Sequence, residues 1–514
     1  MINFRDMRRK KIVMSILIVL VIIPLLFLTI SCTKERADDA VADNAITDDI
    51  DSAEEETGNG QEIGEVSWKL STQDEQWKDM EALSLLEEDN EKRADVTIDI
   101  TSPGQEIDGF GGAFNEKGWE ALLLLTPDKR DEVIKELFDP EEGAKFNICR
   151  VPIGASDYAI SRYTLNETKD DFGMEDFSIE RDREYLIPYI KAALEHRPDL
   201  QIWGSDWTPP TWMKTSEDFD GGYMKDDPLI YEAYALYLAR FVEGYRNEGI
   251  DIFMVAVQNE PFIERNYPTC LWTPEQFLTF IRDYMGPLFE ERNVGAEIML
   301  GTLQDGDYTA FPETVLSNQA ANDYVSTVGF QWQGLYSVAQ TRSDYPDKKI
   351  MQTETECGNF HWEPGFNPDF PQNDWAYGIH TWNKIKDYFD EGVNSYLLWN
   401  MILDEEGKSI DSEKPWPQNA AVVVDKNTKE VIYTPMFYAF KHFTFFVEKG
   451  ANYATSSSIR VGAVSFLNPD GEIIIILQND GNNPKDLKIS TGEHQFNVTL
   501  PEMSWSTFVI PSLE

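Results

Sequence analysis

The sequence predicts an α/β protein, a (β/α)8 (TIM) barrel with an accessory β-sandwich domain built from N- and C-terminal strands. Two observations predict it. Over residues 101–440, eight short apolar runs alternate with amphipathic, helix-like stretches, as parallel strands joined by crossovers require. After about residue 440 the pattern changes to alternating strands with tight Asp-Gly turns, which are typical of antiparallel hairpins.

The eight apolar runs of residues 101–440 are the predicted barrel strands. A doubly wound open sheet would show a similar alternation, but no Gly-x-Gly-x-x-Gly follows the first run. Amphipathic segments such as Asp128–Leu137 and Leu229–Tyr245 are the expected crossover helices. In order, the runs are Glu106–Phe114, Phe146–Ile153, Gln201–Trp207, Ile250–Gln258, Glu297–Leu303, Val325–Trp332, Lys349–Thr353 and Asn394–Met401.

The predicted sandwich takes strands from both ends of the chain. At the C-terminal end, residues 441–514 contain the period-two runs Ile459–Phe466, Glu472–Gln478 and Ser504–Ile510. At the other end, within residues 64–100, the short runs Val66–Leu70 and Val96–Ile100 are expected to pair with them.

The N-terminus has the pattern of an export signal. Residues 1–11 are basic, Ile12–Ile30 is almost wholly apolar, and Ser31 precedes Cys32. Residues 1–32 are therefore expected to direct export and to end at a lipidated Cys32, anchoring the protein to a bacterial membrane, at the outer membrane or cell surface. Thr29 stands where Leu is usual, and an uncleaved transmembrane anchor is the alternative, since the apolar run can span a bilayer.

The remaining composition restricts partners and cofactors. Residues 33–63 are acidic and small, with no apolar periodicity, and are predicted to be a disordered tether. The formal net charge of −47 argues against nucleic acid, and against any membrane contact except the lipid anchor. Five scattered histidines predict no metal site and no cofactor. Without Cys32, three cysteines remain, so at most one disulfide can form and free thiols are expected. We expect a monomer.

Two glutamates follow predicted barrel strands at the carboxyl end, where barrel enzymes place their catalytic groups. Glu260 follows the fourth strand and Glu354 ends the seventh. Two carboxylates on opposite sides of one barrel mouth suit glycoside hydrolysis: one protonates the leaving oxygen and the other attacks the anomeric carbon. Glu356 would face the same way if the seventh strand continued. We choose Glu354 as nucleophile, because the strand Lys349–Thr353 leads directly into it.

Residues 105–445 resemble glycoside hydrolase family 30, which includes lysosomal glucosylceramidase and microbial β-1,6-glucanases. The resemblance extends over nearly the whole predicted mature chain. The matching stretches are Ile107-Asp-Gly-Phe-Gly-Gly-Ala-Phe114, Asn147-Ile-Cys-Arg-Val-Pro152 with Asp157, Trp207-Thr-Pro-Pro-Thr-Trp-Met-Lys-Thr215, Asn259-Glu-Pro261, Tyr267-Pro268, Thr353-Glu354, Trp399-Asn400, and Trp416 with Asn419.

The resemblance implies roles for individual residues. Glu260 would be the acid/base and Glu354 the nucleophile of a retaining β-glycosidase. Arg150 would orient the nucleophile, and Asn259 would hydrogen-bond the sugar 2-hydroxyl. The other substrate-binding residues that it implies are Asp157, Trp207, Tyr267, Trp399 and Asn419.

The substrate expected from the resemblance is a β-linked glucan or glucoside. The lysosomal enzyme has Tyr where this chain has Gln333, and Pro where it has Asp206, so a polar mouth and a β-1,6-glucan are favoured over glucosylceramide. The alternatives are a glucosylceramidase or a β-glucosidase/β-xylosidase of the same family. An alternative of a different class is a non-catalytic glycan-binding lipoprotein, which would be expected to lack one of the two glutamates.

Overall fold

A computed structural model describes residues 61–89, 93–360, 364–415 and 417–512. The predicted export signal, Cys32 and the tether up to residue 60 lie outside the described residues, as does Trp416. Within the described ranges, no helix combines the length and apolarity needed to cross a membrane.

Four strands precede the barrel: β1 (Glu62–Thr72), β2 (Lys78–Asp79), β3 (Leu83–Glu87) and β4 (Val96–Asp99). The barrel strands are then β5 (Gly109–Ala113), β6 (Ile148–Ile153), β7 (Gln201–Asp206), β8 (Ile252–Ala256), β9 (Glu297–Leu303), β10 (Val325–Gln331), β11 (Lys349–Glu354) and β12 (Ser395–Asn400). These eight strands are parallel and close on themselves through the β12–β5 pair, and each overlaps its predicted run. The predicted barrel is confirmed.

Helices surround the barrel. They are α1 (Glu116–Leu122), α2 (Pro127–Phe138), α3 (Leu186–His196), α4 (Pro228–Asn247), α5 (Pro274–Phe280), α6 (Gly286–Glu291), α7 (Phe311–Leu316), α8 (Gln319–Asn322), α9 (Leu335–Asp344), α10 (Trp375–Glu391) and α11 (Pro435–Thr444). Helix α4 shows how the sequence starts a helix: the Asp227 carboxylate accepts the Leu229 N–H, and Pro228 occupies the first helical position.

The barrel strands are buried on both faces, which explains their continuous apolar runs. One core fills the barrel interior with side chains that include Trp203, Met254, Met299 and Leu397. A larger core lies between the strands and the helices. The three described cysteines are buried free thiols, so no disulfide links them: Cys149, Cys270 and Cys357.

The chain then forms a small sheet of β13 (Ile402–Asp404), β14 (Val422–Val424) and β15 (Val431–Tyr433). The sandwich strands follow: β16 (Asn452–Ser458), β17 (Gly462–Leu467), β18 (Ile473–Asn479), β19 (Lys485–Ser490), β20 (His494–Leu500) and β21 (Ser504–Ile510). Strand β1 pairs with β21 through residues 67–72 and with β3 through residues 62–66, so it belongs to both sheets. Strand β4 pairs with β16 and β19. The predicted contribution of both chain ends is confirmed.

Strand β18 packs against the sandwich core on one face and against the barrel on the other. Ile473, Ile475 and Leu477 point into the sandwich core. Ile474 and Ile476 join the large core around the barrel. In β18 the period-two alternation therefore separates two buried faces, one toward the sandwich core and one toward the barrel. It does not separate a buried face from a solvent-exposed one.

Helix α11 carries a buried histidine that joins the barrel to the sandwich. The ring nitrogens of His442 lie 2.8 Å from Thr507 Oγ1 on β21 and 2.9 Å from Ser71 Oγ on β1. Burial lowers the pKa of His442 from its ordinary 6.5 to about 3, and Lys69 and Lys441 add to the effect.

This histidine predicts acid-sensitive folding. Because its pKa is lower in the folded protein, its contribution to stability is fully present above about pH 6.5 and is lost as the pH falls toward 3, at up to ~1.4 kcal/mol per pH unit. We expect His442→Gln to lose less unfolding free energy than wild type between pH 7.5 and 4.5 in urea titrations. His196→Gln on α3 is the control, and equal losses in wild type and His442→Gln would contradict the prediction.

Candidate active site

Glu260 lies on the segment that follows β8, and the backbone of this segment is hydrogen-bonded to both neighbouring strands, β7 and β9. Its N–H donates to the Thr302 carbonyl at 3.1 Å, while the Asn259 N–H donates to the Asp206 carbonyl at 2.7 Å. Glu260 adopts a left-handed conformation with φ of 46°, which a non-glycine residue keeps only when its surroundings enforce it. Its carboxyl is directed into the barrel mouth, where the residue is only 5% exposed.

Glu354 is the last residue of β11. Its carboxylate and that of Glu260 both lie within hydrogen-bonding distance of the same side-chain amide nitrogen. The Gln331 Nε2 lies 3.1 Å from Glu260 Oε1 and 3.3 Å from Glu354 Oε2. The two carboxylate oxygens can be no farther apart than these distances added together. That limit for one pair of oxygens is compatible with the ~5–5.5 Å between the carboxyl groups of retaining glycosidases.

The orientation of the Gln331 amide is fixed from below. Thr353 Oγ1 donates to Gln331 Oε1 at 2.8 Å, so the NH2 group faces the carboxylates. Gln331 ends β10, the sixth barrel strand, and was not among the predicted site residues. Its position at a strand end was the available signal, but a lone Gln there carries no recognisable chemistry.

Arg150 on β6 holds Glu354 from the other side. It is fully buried, and its Nη1 donates to Glu354 Oε2 at 2.9 Å. Its Nη2 donates to Asn259 Oδ1 at 2.7 Å and to Ser205 Oγ at 3.1 Å. The guanidinium carbon lies 4.2 Å from the centre of a Trp207 ring. This placement fits the predicted role of orienting the carboxylate of Glu354.

The two glutamates have different electrostatic surroundings. Burial raises the pKa of both carboxyl groups, and for Glu354 the Arg150 guanidinium is the largest opposing effect. For Glu260 the opposing groups are the Arg265 guanidinium, the Gln331 amide and then Arg150. Two ionised carboxylates on one amide repel each other, so the pair shares a proton. Arg150 bonds directly to Glu354, which favours the ionised form of that carboxyl group.

Most of the remaining predicted sugar ligands line a cavity of about 730 Å³, which the two glutamates also line. Trp207 lines this cavity, whereas Trp399 does not; the Trp399 ring stacks on that of Trp207 with ring centres 5.2 Å apart. Asp157, Asn259 and Tyr267 line the same cavity. Burial, aided by the charge of Glu260, raises the pKa of Asp157 to about 7.

Glu356 lies outside this cavity. Strand β11 ends at Glu354, and Glu356 forms an ion pair with Lys384 of α10 at 3.1 Å. Its carboxylate is therefore occupied away from the cavity that Glu354 lines.

Two further residues that were expected at the sugar site, Asp206 and Asn419, do not line the cavity. The expectation that Asp206 helps line a polar mouth is wrong. Ser205 and Trp207 face the site, so by strand alternation Asp206 points to the helices, where Tyr234 donates to it at 2.7 Å. Asn419 does not line the cavity; its amide donates to Gln372. Gln333 does line the mouth.

A parallel eight-stranded barrel with two buried glutamates close together at its mouth is the arrangement of a retaining glycoside hydrolase. The model of the glycosyl hydrolase family 30 TIM-barrel domain matches residues 107–447, and that of the family's β-sandwich domain matches residues 452–508. The chain belongs to glycosyl hydrolase family 30.

Individual relatives agree with this assignment. The lysosomal acid glucosylceramidase of Mus musculus is 28% identical over 437 residues, covering 80% of this chain and 83% of the relative. The endo-1,6-beta-D-glucanase neg1 of Aspergillus fumigatus is 26% identical over 457 residues, covering 81% and 88%. The crystal structure of SrfJ from Salmonella typhimurium shares the fold, with a TM-score of 0.79, 23% identity, and coverage of 88% of this chain and 100% of that one.

Proposed function

We propose that this protein hydrolyses β-1,6-linked glucan by double displacement, with Glu354 as nucleophile and Glu260 as acid/base. Glu354 attacks the anomeric carbon while Glu260 gives its proton to the departing glycosidic oxygen. Glu260 then takes a proton from water, whose oxygen displaces Glu354 and releases the sugar with its β configuration. The single observation that supports this most is the Gln331 amide within hydrogen-bonding distance of both carboxylates.

The choice of substrate rests on the residues in and around the cavity. The lining residues Asp157, Trp207 and Asn259, together with Arg150 and Trp399 next to them, are the set that the family resemblance assigns to the first sugar. Most of the other lining side chains are polar, and four acidic ones outnumber two basic ones: Asp220, Glu264, Arg265, Gln304, Gln333, Asp411, Glu413 and Lys414. Polar and acidic side chains favour a neutral, hydroxyl-rich leaving group over the two hydrocarbon chains of a ceramide or an anionic lipid surface.

Glucosylceramide is the second candidate, because the mouse relative that carries that name is as similar to this chain as the fungal glucanase. Comparing kcat/KM for β-1,6-linked gluco-oligosaccharides, a soluble glucosylceramide analogue and an aryl β-xyloside tests the choice. We expect the gluco-oligosaccharides to be preferred. A preference for either of the other substrates would overturn the glucanase proposal and leave the catalytic pair unaffected.

We also propose that the enzyme is exported and held on a bacterial membrane by lipid on Cys32. The support is the sequence alone: a basic start, the apolar run Ile12–Ile30, and Ser31 before Cys32. An acidic tether between this anchor and the barrel would keep the enzyme accessible to soluble polysaccharide.

Cys32→Ala is expected to move the protein from the membrane fraction to the soluble fraction, because the acylated thiol is the proposed attachment point. Its kcat/KM on a soluble aryl β-glucoside should equal that of the wild type. Fractionation followed by immunoblotting measures the first effect, and Cys149→Ala is the control. If the Cys32→Ala protein stayed in the membrane, Ile12–Ile30 would be an uncleaved anchor.

A further inference from the structure

Exposed aromatic side chains are concentrated at one end of the barrel. Among the residues that the structure describes, four aromatic side chains are classed as exposed: Phe172, Tyr223, Phe262 and Tyr336. All four lie on the connections that lead from one barrel strand to the next, after β6, β7, β8 and β10 respectively. The carboxyl ends of these strands form the mouth that holds the glutamates. Exposed apolar rings gathered on one functional face indicate a binding surface rather than chance exposure.

Tyr336 is the most exposed of the four, at 77%. It lies in the first turn of α9, three residues after Gln333, which lines the cavity. A Cβ on Gly306 would lie 3.2 Å from Tyr336 Cδ2, so the ring rests against the backbone just after Gln304, another lining residue. Tyr336 therefore lies close to two segments that contribute lining residues, just outside the cavity lining itself, with most of its surface open to solvent.

Tyr336 belongs to the half of the mouth that receives the leaving group. Most of the residues proposed for the first sugar come from β6, from β12 and from the segments that follow β6 and β7, while Asn259 precedes Glu260 after β8. Glu260, which protonates the leaving oxygen, follows β8, while Gln304 and Gln333 follow β9 and β10. These three strands are adjacent in the barrel, so a leaving group that extends from Glu260 across the ends of β9 and β10 approaches Tyr336.

Phe262 lies in the same half of the barrel mouth as Tyr336. It lies two residues after Glu260, and its ring packs edge-on against Phe311 with centres 4.6 Å apart, which holds it in place while 37% of the residue stays exposed. Its neighbour Ile263 lines the cavity. The Phe262 ring therefore lies two residues after the proposed acid/base, and the Tyr336 ring lies on the connection that follows β10.

From this geometry we infer that Tyr336 is a stacking platform for a leaving-group sugar beyond the first, so that the enzyme binds a glucan chain rather than a disaccharide or a small glucoside. The apolar C–H face of a glucosyl unit would lie on the phenol ring, while its hydroxyls stay in water. The inference rests on the proposed glucanase function and specifies the length of chain that the site recognises.

The test compares long and short substrates in Tyr336→Ala and Tyr336→Phe. We expect kcat/KM for a β-1,6-linked glucopentaose, divided by that for an aryl β-glucoside, to fall about tenfold in Tyr336→Ala. Tyr336→Phe, which keeps the ring, should retain most of the wild-type ratio. Ile459→Ala, at a 97% exposed position on the sandwich, is the matched control. Thermal melts establish that all variants are folded.

The outcomes separate the two proposals. If the wild type cleaves the glucopentaose and Tyr336→Ala keeps the wild-type ratio, the platform is wrong and the glucanase proposal stands. A fall in the ratio in Tyr336→Phe equal to that in Tyr336→Ala would also overturn stacking. If the wild type cleaves the aryl glucoside but not the glucopentaose, the proposed substrate is wrong and the platform for it is wrong as well.

Discussion

Glu354→Gln is expected to lower kcat/KM on a β-glucoside by about 10⁴-fold or more, because an amide cannot form the glycosyl-enzyme bond. The side chain stays the same size, and the amide can still hydrogen-bond to Arg150 and Gln331, so the fold should be retained. Steady-state kinetics on an aryl β-glucoside measure the loss. A fluorinated glucoside trap on the wild type, followed by peptide mass spectrometry, should place the label on Glu354.

Glu356→Gln is the matched control for this prediction. It removes a carboxylate two residues away that is paired with Lys384 of α10 and lies outside the cavity. We expect the trap to label Glu354 in this variant as it does in the wild type. A label on Glu356, or a Glu354→Gln enzyme with near wild-type turnover, would show that the nucleophile is assigned to the wrong carboxylate.

Glu260→Ala should lower kcat/KM by about 10²–10⁴-fold for substrates with a poor leaving group, such as a β-1,6-linked gluco-oligosaccharide. An activated aryl glucoside needs little protonation, so its glycosylation step should be much less affected. Added azide should raise the rate of the variant by attacking the glycosyl-enzyme, with β-glucosyl azide as the product. Equal losses for both classes of leaving group, without azide rescue, would argue against the acid/base role.

The pH dependence provides a second measurement of the same role. Burial raises the pKa of Glu260, so the residue can hold its proton above the pH at which a free carboxyl loses it. Activity on a poor leaving group should fall as the pH rises through that pKa, because the deprotonated form cannot donate. This alkaline limb of kcat/KM should be absent in Glu260→Ala. A limb that persists unchanged would belong to another group.

The barrel and the positions of Glu260 and Glu354 at its mouth could be predicted from the sequence because both depend on local order along the chain. Continuous apolar runs separated by amphipathic stretches determine where parallel strands begin, and residues directly after a run must lie at the strand's carboxyl end. Glu260 and Glu354 occupy such positions after the fourth and seventh runs. Closure of the eight strands then brings them together, whatever the loops between them do.

What could not be predicted depended on side-chain direction and on partners distant in the chain. Gln331 carries no recognisable chemistry by itself and becomes a bridge only because Glu260 and Glu354 converge on its amide. Asp206 looked like a mouth residue from its position, but strand alternation turns it toward Tyr234.

The choice between Glu354 and Glu356 shows most clearly what each level decided. The sequence by itself determined that a carboxylate ends the seventh strand, because the apolar run Lys349–Thr353 stops there. Two acidic residues with period-two spacing would share a face if the strand continued, so alternation alone could not separate them. The tertiary structure separates them, since β11 ends at Glu354 and Lys384 of α10 pairs with Glu356, whereas Arg150 of β6 bonds across the barrel mouth to Glu354.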